Sequence, residues 1–152
     1  MGGSLRPPPG LAGYHLVNDL NALYREAIKR HAANPVGYRQ QIDATHQFEE
    51  YNPLCGDRIF VQLRIRQEQV EAAAFDGEAC AICMASASLL CDNIPGKSVS
   101  HLQELHERLL AALESGHDTD GIDPLKPLLG VRSYPSRIRC ATLPWTAASK
   151  AF

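Results

Sequence analysis

The chain has no long apolar run. None approaches the roughly 18 residues that a membrane span requires, and the N-terminal stretch, with Arg6 ahead of Pro7-Pro8-Pro9, lacks the apolar core of a secretory leader. It also lacks an excess of charge: 15 basic against 17 acidic residues leave a net charge of -2, which gives no electrostatic reason to expect nucleic acid or an anionic membrane as partner. No internal repeat or heptad is visible, and the six histidines fall at no ligand spacing. The five cysteines are an odd number and widely dispersed, which argues against a disulfide framework. A cytoplasmic, reducing location is expected, with the thiols serving as buried side chains, metal ligands or nucleophiles.

What remains is an ordinary globular composition, 45% apolar and 21% charged, over 152 residues. Residues 1–13, rich in Gly and Pro, read as a disordered lead-in, and residues 14–152 as one domain. Leu20, Leu23, Tyr24, Ala27 and Ile28 recur at helical spacing and predict a helix from Asn18 to about Asn34-Pro35. Thr45 to Tyr51 reads as a short edge strand. Ile59, Val61, Leu63 and Ile65 alternate against Phe60, Gln62, Arg64 and Arg66 with the period of a half-buried strand, which Gln67-Glu68-Gln69 turns into a hairpin with Val70 to Phe75. Cys80 to Ile94 predicts a helix of small residues that packs closely on the sheet, and Ser98 to Ser115 a second helix with His101 and His106 on solvated faces. A polar loop is expected from His117 to Asp123, then a helical turn or two from Pro124 to Leu129. Pro135 opens a last helix that Pro144 should kink or break just before Trp145. The expected class is α+β: a small antiparallel β-sheet with helices packed on one face and a metal site at the rim.

A lone cysteine is most often a small buried hydrophobe. Cys91 fits that description, since eleven residues along one helix from Cys80 amounts to about 16 Å, too far to share a metal. Cys80 and Cys83 form one C-x-x-C pair, but no second pair completes a four-cysteine knuckle, and the hairpin before them is not the βαβ setting of a thioredoxin motif. Cys55, Cys80 and Cys140 each stand at an element boundary or in a first helical turn, and Asp57 follows Cys55 by two residues across Gly56. Three thiolates and a carboxylate suit tetrahedral Zn²⁺. Against that, an Asp after Gly commonly does no more than cap a turn.

Several motifs in order then match a known family: Leu23-Tyr24-Arg25, His31 to Pro35, Asn52-Pro53-Leu54-Cys55-Gly56-Asp57-Arg58, Gly77-Glu78-Ala79-Cys80-Ala81-Ile82 with Met84 to Leu89, Gly96-Lys97, and Pro135 to Leu143 with Trp145. The chain resembles the NifU/IscU-type proteins of iron–sulfur cluster assembly, most closely the SufU branch. The resemblance implies Cys55, Asp57, Cys80 and Cys140 as metal ligands; of these Cys55, on the flexible Pro53-to-Gly56 turn, is the expected sulfur acceptor, with Arg137 expected to stabilise the negatively charged site. Scaffold-type members carry a histidine where this chain has Arg139, and a long helical segment separates Cys80 from Cys140, as in the SufU branch. The implied function is therefore a zinc-dependent acceptor of persulfide sulfur. Its implied partners are a pyridoxal-phosphate-dependent cysteine desulfurase of the SufS type and downstream iron–sulfur assembly proteins. The alternative is a scaffold on which iron and sulfide form a [2Fe–2S] cluster. Two positions depart from the branch: Cys83, usually a small hydroxyl residue, and Ala79, usually glycine.

Overall fold

A computed structural model of the protein describes residues 12–115 and 119–152. Most of the expected lead-in lies outside the described residues, as do His117 and Asp118 of the expected polar loop. Helix α1 (Ala12–Ala33) starts six residues before the cap expected at Asn18. Leu20 and Leu23, placed by their spacing on its apolar side, are 48% and 65% exposed; Tyr24, Ala27 and Ile28 carry the contact with the body of the protein.

Three antiparallel strands, β1 (His46–Asn52), β2 (Asp57–Arg66) and β3 (Gln69–Glu78), form one sheet in the order β1-β2-β3. Alternation in β2 is as the sequence predicts, with Ile59, Val61 and Leu63 all fully buried. Gln67 and Glu68 both adopt positive φ, the combination that a two-residue type I′ hairpin demands. The segment after α1, expected to be a mere polar connection, docks Tyr38 beside Phe75 through a parallel bridge, with the Arg39 N–H donating to the Phe75 carbonyl at 2.7 Å.

Helix α2 (Ala81–Asn93) is buried on nearly every side. Its small residues serve neighbouring helices more than the sheet, a correction to the expected packing: α2 lies against α4 (Pro135–Lys150) and α1, while α4 covers β1 and β2. Ser86 Oγ donates to the Ala141 carbonyl on α4, and Ser88 Oγ meets His31 Nδ1 of α1 at 2.7 Å. Only side chains this small allow so close an approach.

Helix α3 (Val99–Glu114) is capped by Ser98, whose hydroxyl accepts from the His101 N–H, and buries Val99, Leu102, Leu105, Leu109 and Leu113. His106 is not a solvated residue as expected. It is half-buried, with Nε2 3.2 Å from Thr146 Oγ1 and Nδ1 3.0 Å from Ser149 Oγ, and so joins α3 to α4. The expected helical turn after the loop is a longer 3₁₀ segment, Asp123–Ser133.

The break expected at Pro144 does not occur, since α4 runs unbroken to Lys150. Proline removes the donor that the Cys140 carbonyl would normally use. On either side, hydroxyls supply donors from side chains: Thr142 Oγ1 to the Arg139 carbonyl at 3.3 Å, and Ser86 to that of Ala141.

Candidate metal centre

Strands β1 and β2 are joined by four residues, Pro53 to Gly56, between the paired Asn52 and Asp57. The turn closes because the Cys55 N–H donates to the Asn52 carbonyl at 3.3 Å and Gly56 takes φ +70°, a conformation open to glycine without strain. Cys55 is thus held on a partly exposed loop beside Leu54, which is 84% exposed. Asp57, the first residue of β2, is only 1% exposed. Cys80 caps α2 in extended conformation, and Cys140 sits fully buried in the second turn of α4.

These elements converge. Cys55 Sγ lies 3.4 Å from Cys140 Sγ, and Cys80 Sγ lies 3.8 Å from Asp57 Oδ2. Four ligands around one ion at about 2.3 Å stand roughly 3.8 Å apart, so both separations suit a shared metal. Single ligand atoms of Cys55, Asp57 and Cys140 all fall within 4.8 Å of one another; Cys80 is not one of that triplet and meets it at Asp57. Asp57 Oδ1 accepts from the Cys80 N–H at 2.8 Å, so the carboxylate sits at the positive end of α2. Yet none of the ion pairs among the described residues involves Asp57. A buried carboxylate with three thiols around it and no cationic partner is a donor set that a divalent cation would complete.

Without a cation, burial pushes the Cys140 thiol well above its ordinary pKa, and contacts with Asp57, Cys55 and Cys80 push it further. Arg137, exposed at the start of α4, has its pKa raised chiefly by a hydrogen bond to Cys140 and also by the fields of Cys80 and Cys55, so its charge is aimed at the cluster. Arg139 turns elsewhere, toward the Tyr51 carbonyl at 3.5 Å.

Cys83 is fully buried, its thiol raised by desolvation first and by Asp57 next, and it is absent from the converging triplet. Cys91 is a packing residue as expected. It lies beneath Gly37, where a Cβ would stand 2.7 Å from that of Cys91, and burial raises its pKa to about 12. All five cysteines are free thiols.

The motif around Cys55 contains one further participant to which the sequence assigned no role. Asn52 is fully buried; its Oδ1 accepts from the Leu54 N–H at 3.3 Å and its Nδ2 points at Cys140 Sγ, 3.9 Å away. An Asn before Pro at the mouth of a turn is a signal for such an arrangement.

Residues 23–119 match the family model of the NifU-like N terminal domain, most of the chain's length. The chain belongs to this NifU-like family. The zinc-dependent sulfurtransferase SufU of Bacillus subtilis (strain 168) is 35% identical over 134 residues, covering 87% of this chain and 90% of that protein. The iron–sulfur cluster assembly scaffold protein IscU of Streptococcus pyogenes serotype M1 is 30% identical over 138 residues, covering 89% and 86%. Among solved structures, the N-terminal part of a nitrogen-fixing NifU-like protein from Brucella abortus superposes with a TM-score of 0.78 at 23% identity, over 84% of this chain and 90% of that one, which places the α+β fold among NifU-like folds. Among the described residues, no helix is long and apolar enough to cross a membrane.

Proposed function

We propose that this NifU-like protein is a zinc-dependent acceptor of persulfide sulfur, taking it from a pyridoxal-phosphate-dependent cysteine desulfurase in the cytoplasm and passing it toward iron–sulfur cluster assembly. The observation that carries the reading is the convergence of Cys55, Asp57 and Cys140, with Cys80 bonded to Asp57, around a buried carboxylate that has no cation of its own. Those four residues would hold Zn²⁺, which keeps cysteine sulfur deprotonated near neutral pH. Cys55 is the acceptor, because its sulfur is partly exposed on a turn with an open side at Gly56, whereas Cys140 is fully enclosed in α4.

The Cys55 thiolate attacks the outer sulfur of the desulfurase persulfide. A new sulfur–sulfur bond forms at Cys55 as the old one breaks, and the desulfurase cysteine leaves as thiolate, so no external oxidant or reductant is consumed. Arg137 holds positive charge over the thiols throughout. The likeness to SufU and the occupation of position 139 by an arginine that bonds Tyr51 both favour transfer.

A scaffold holding a [2Fe–2S] cluster on the same ligands is the second reading, favoured by the likeness to IscU. Metal content and the visible spectrum of the purified protein separate the two: a colourless protein with one zinc per chain supports transfer, and a brown one with sulfide-to-iron bands supports the scaffold. Incubation with desulfurase and cysteine should then place the persulfide on Cys55 by mass spectrometry. A label on Cys83 or Cys140, or desulfurase turnover undiminished in Cys55→Ala, would overturn the assignment.

A further inference from the structure

Asn52 makes two separate sets of contacts. Its carbonyl groups shape the turn that carries Cys55: Oδ1 takes the Leu54 N–H and the backbone oxygen takes the Cys55 N–H, each at 3.3 Å. Its amide Nδ2 is directed to Cys140 Sγ on α4, 88 residues away in sequence. The side chain is fully buried, so it reaches neither partner through solvent.

A buried amide N–H must find an acceptor, and the sulfur of Cys140 is the one it meets. The 3.9 Å separation is at the long end for N–H to sulfur with a thiol. Hydrogen bonds to an ionised acceptor are shorter and stronger, so the contact tightens once Cys140 is a thiolate.

From this geometry we infer that Asn52 is a positioning residue of the metal centre: one end sets the reach of Cys55, and the other donates an N–H to the Cys140 thiolate and holds it in place while Cys55 reacts. The inference rests on the reading that Cys55, Asp57, Cys80 and Cys140 bind the metal. Its consequence is a division of labour. The same residue lets one cysteine stay mobile on its turn and keeps its neighbour, 3.4 Å away, from leaving with it.

Two substitutions separate the two ends. Asn52→Ala removes both side-chain contacts and leaves only the backbone acceptor of the Cys55 N–H. Asn52→Ser keeps a short oxygen acceptor for the turn but cannot reach Cys140. The probe is the protein loaded with Co²⁺, whose thiolate-to-metal charge-transfer bands report the electron density on sulfur, together with zinc affinity by chelator competition and the alkylation rate of Cys55. Loss of the N–H donor should move the charge-transfer bands to lower energy in both variants. Zinc affinity should fall about 10–100-fold, as is usual when a hydrogen-bonding neighbour of a ligand is removed. The alkylation rate of Cys55 should change in Asn52→Ala and return close to that of the parent in Asn52→Ser. A Co²⁺ spectrum of Asn52→Ser identical to that of the parent would overturn the donor role, and a Cys55 rate unchanged in Asn52→Ala would overturn the turn-shaping role. A parent protein that shows no thiolate charge transfer with Co²⁺ would instead defeat the metal-site reading itself, before any variant is made.

Discussion

Gly77 is where sheet and site are most tightly bound together, and replacing it by alanine tests whether the hairpin geometry holds the ligands. Gly77 pairs with Ile59 across β2 and β3, one residue from Arg58, which follows Asp57, and three residues before Cys80. Its φ is +144°, and an added Cβ would stand 2.1 Å from the Arg58 carbonyl oxygen, more than 1 Å inside ordinary contact. The atom in the way is backbone, so it cannot swing aside. The backbone strain alone costs about 1–3 kcal/mol, and prising the ladder apart loses one or two hydrogen bonds at about 1 kcal/mol each, for a total of about 2–5 kcal/mol. At about 2–4 °C per kcal/mol for a chain of this size, Gly77→Ala should melt about 4–20 °C lower than the parent. Gly56→Ala is the matched control. It also has positive φ, +70°, but a Cβ added there would meet nothing within 4 Å, so it should cost only the left-handed penalty of about 1–2 kcal/mol. Thermal melts followed by circular dichroism, with zinc titrated into each variant, give the comparison. Only Gly77→Ala should also weaken zinc binding, because the displaced strand carries Asp57 and Cys80 apart. If Gly77→Ala melts no lower than Gly56→Ala and binds zinc as the parent does, the close approach of the two strands is not what holds the site.

The other expectations are simpler. Zinc at a thousand times its dissociation constant stabilises a folded site by about 4 kcal/mol, so stripping it should lower the melting temperature by about 8–16 °C; an apo protein melting within a degree or two of the loaded form would mean that the ligands do not share an ion. Cys80→Ser should lose zinc while Cys83→Ser retains it, as measured by metal content after gel filtration, and equal loss in both would make the C-x-x-C pair the chelate. His106, with its pKa lowered by burial against a smaller opposing pull from Glu107, binds its proton less readily folded than unfolded. Stability should therefore be fully present above about pH 6.5 and decline as pH falls through the depressed folded value. Urea titrations between pH 5 and 8 should show that decline in the parent and a flatter profile in His106→Gln.

The fold was legible wherever a two- or four-residue rhythm met a single apolar surface. Strand β2 is the clear case, since its alternation reflects one face buried against α4 and one face left partly exposed. The same reasoning failed for α1, where Leu20 and Leu23 carry the right spacing yet remain exposed, because periodicity specifies a face and not what covers it. It failed again for α2. A helix buried all round has no rhythm to read, and its small residues said only that something approaches closely; the partners are α4 and α1 at Ser86 and Ser88. His106 was misplaced because hydrogen bonds to Thr146 and Ser149, 40 and 43 residues away, leave no local trace.

The candidate site was legible in part, and for a physical reason. Cys55, Asp57 and Cys80 are each fixed by features a few residues long, a tight turn and a helix cap, so their spacing survives into three dimensions. Cys140 is different: it reaches Cys55 because α4 lies across β1 and β2, a placement that no local feature of the sequence specifies. Pro144, inside α4, reads in isolation as a helix terminator, at about 3 kcal/mol for the interior of a regular helix. In the folded chain the carbonyls on either side of that of Cys140, those of Arg139 and Ala141, take hydroxyls of Thr142 and Ser86, and Ser86 belongs to the helix that Cys80 caps. The residue that bonds α4 next to Cys140 and the residue that supplies a candidate ligand therefore belong to the same helix, α2, and its cap. The packing of α2 against α4 is thus the condition on which the third thiol joins the other two.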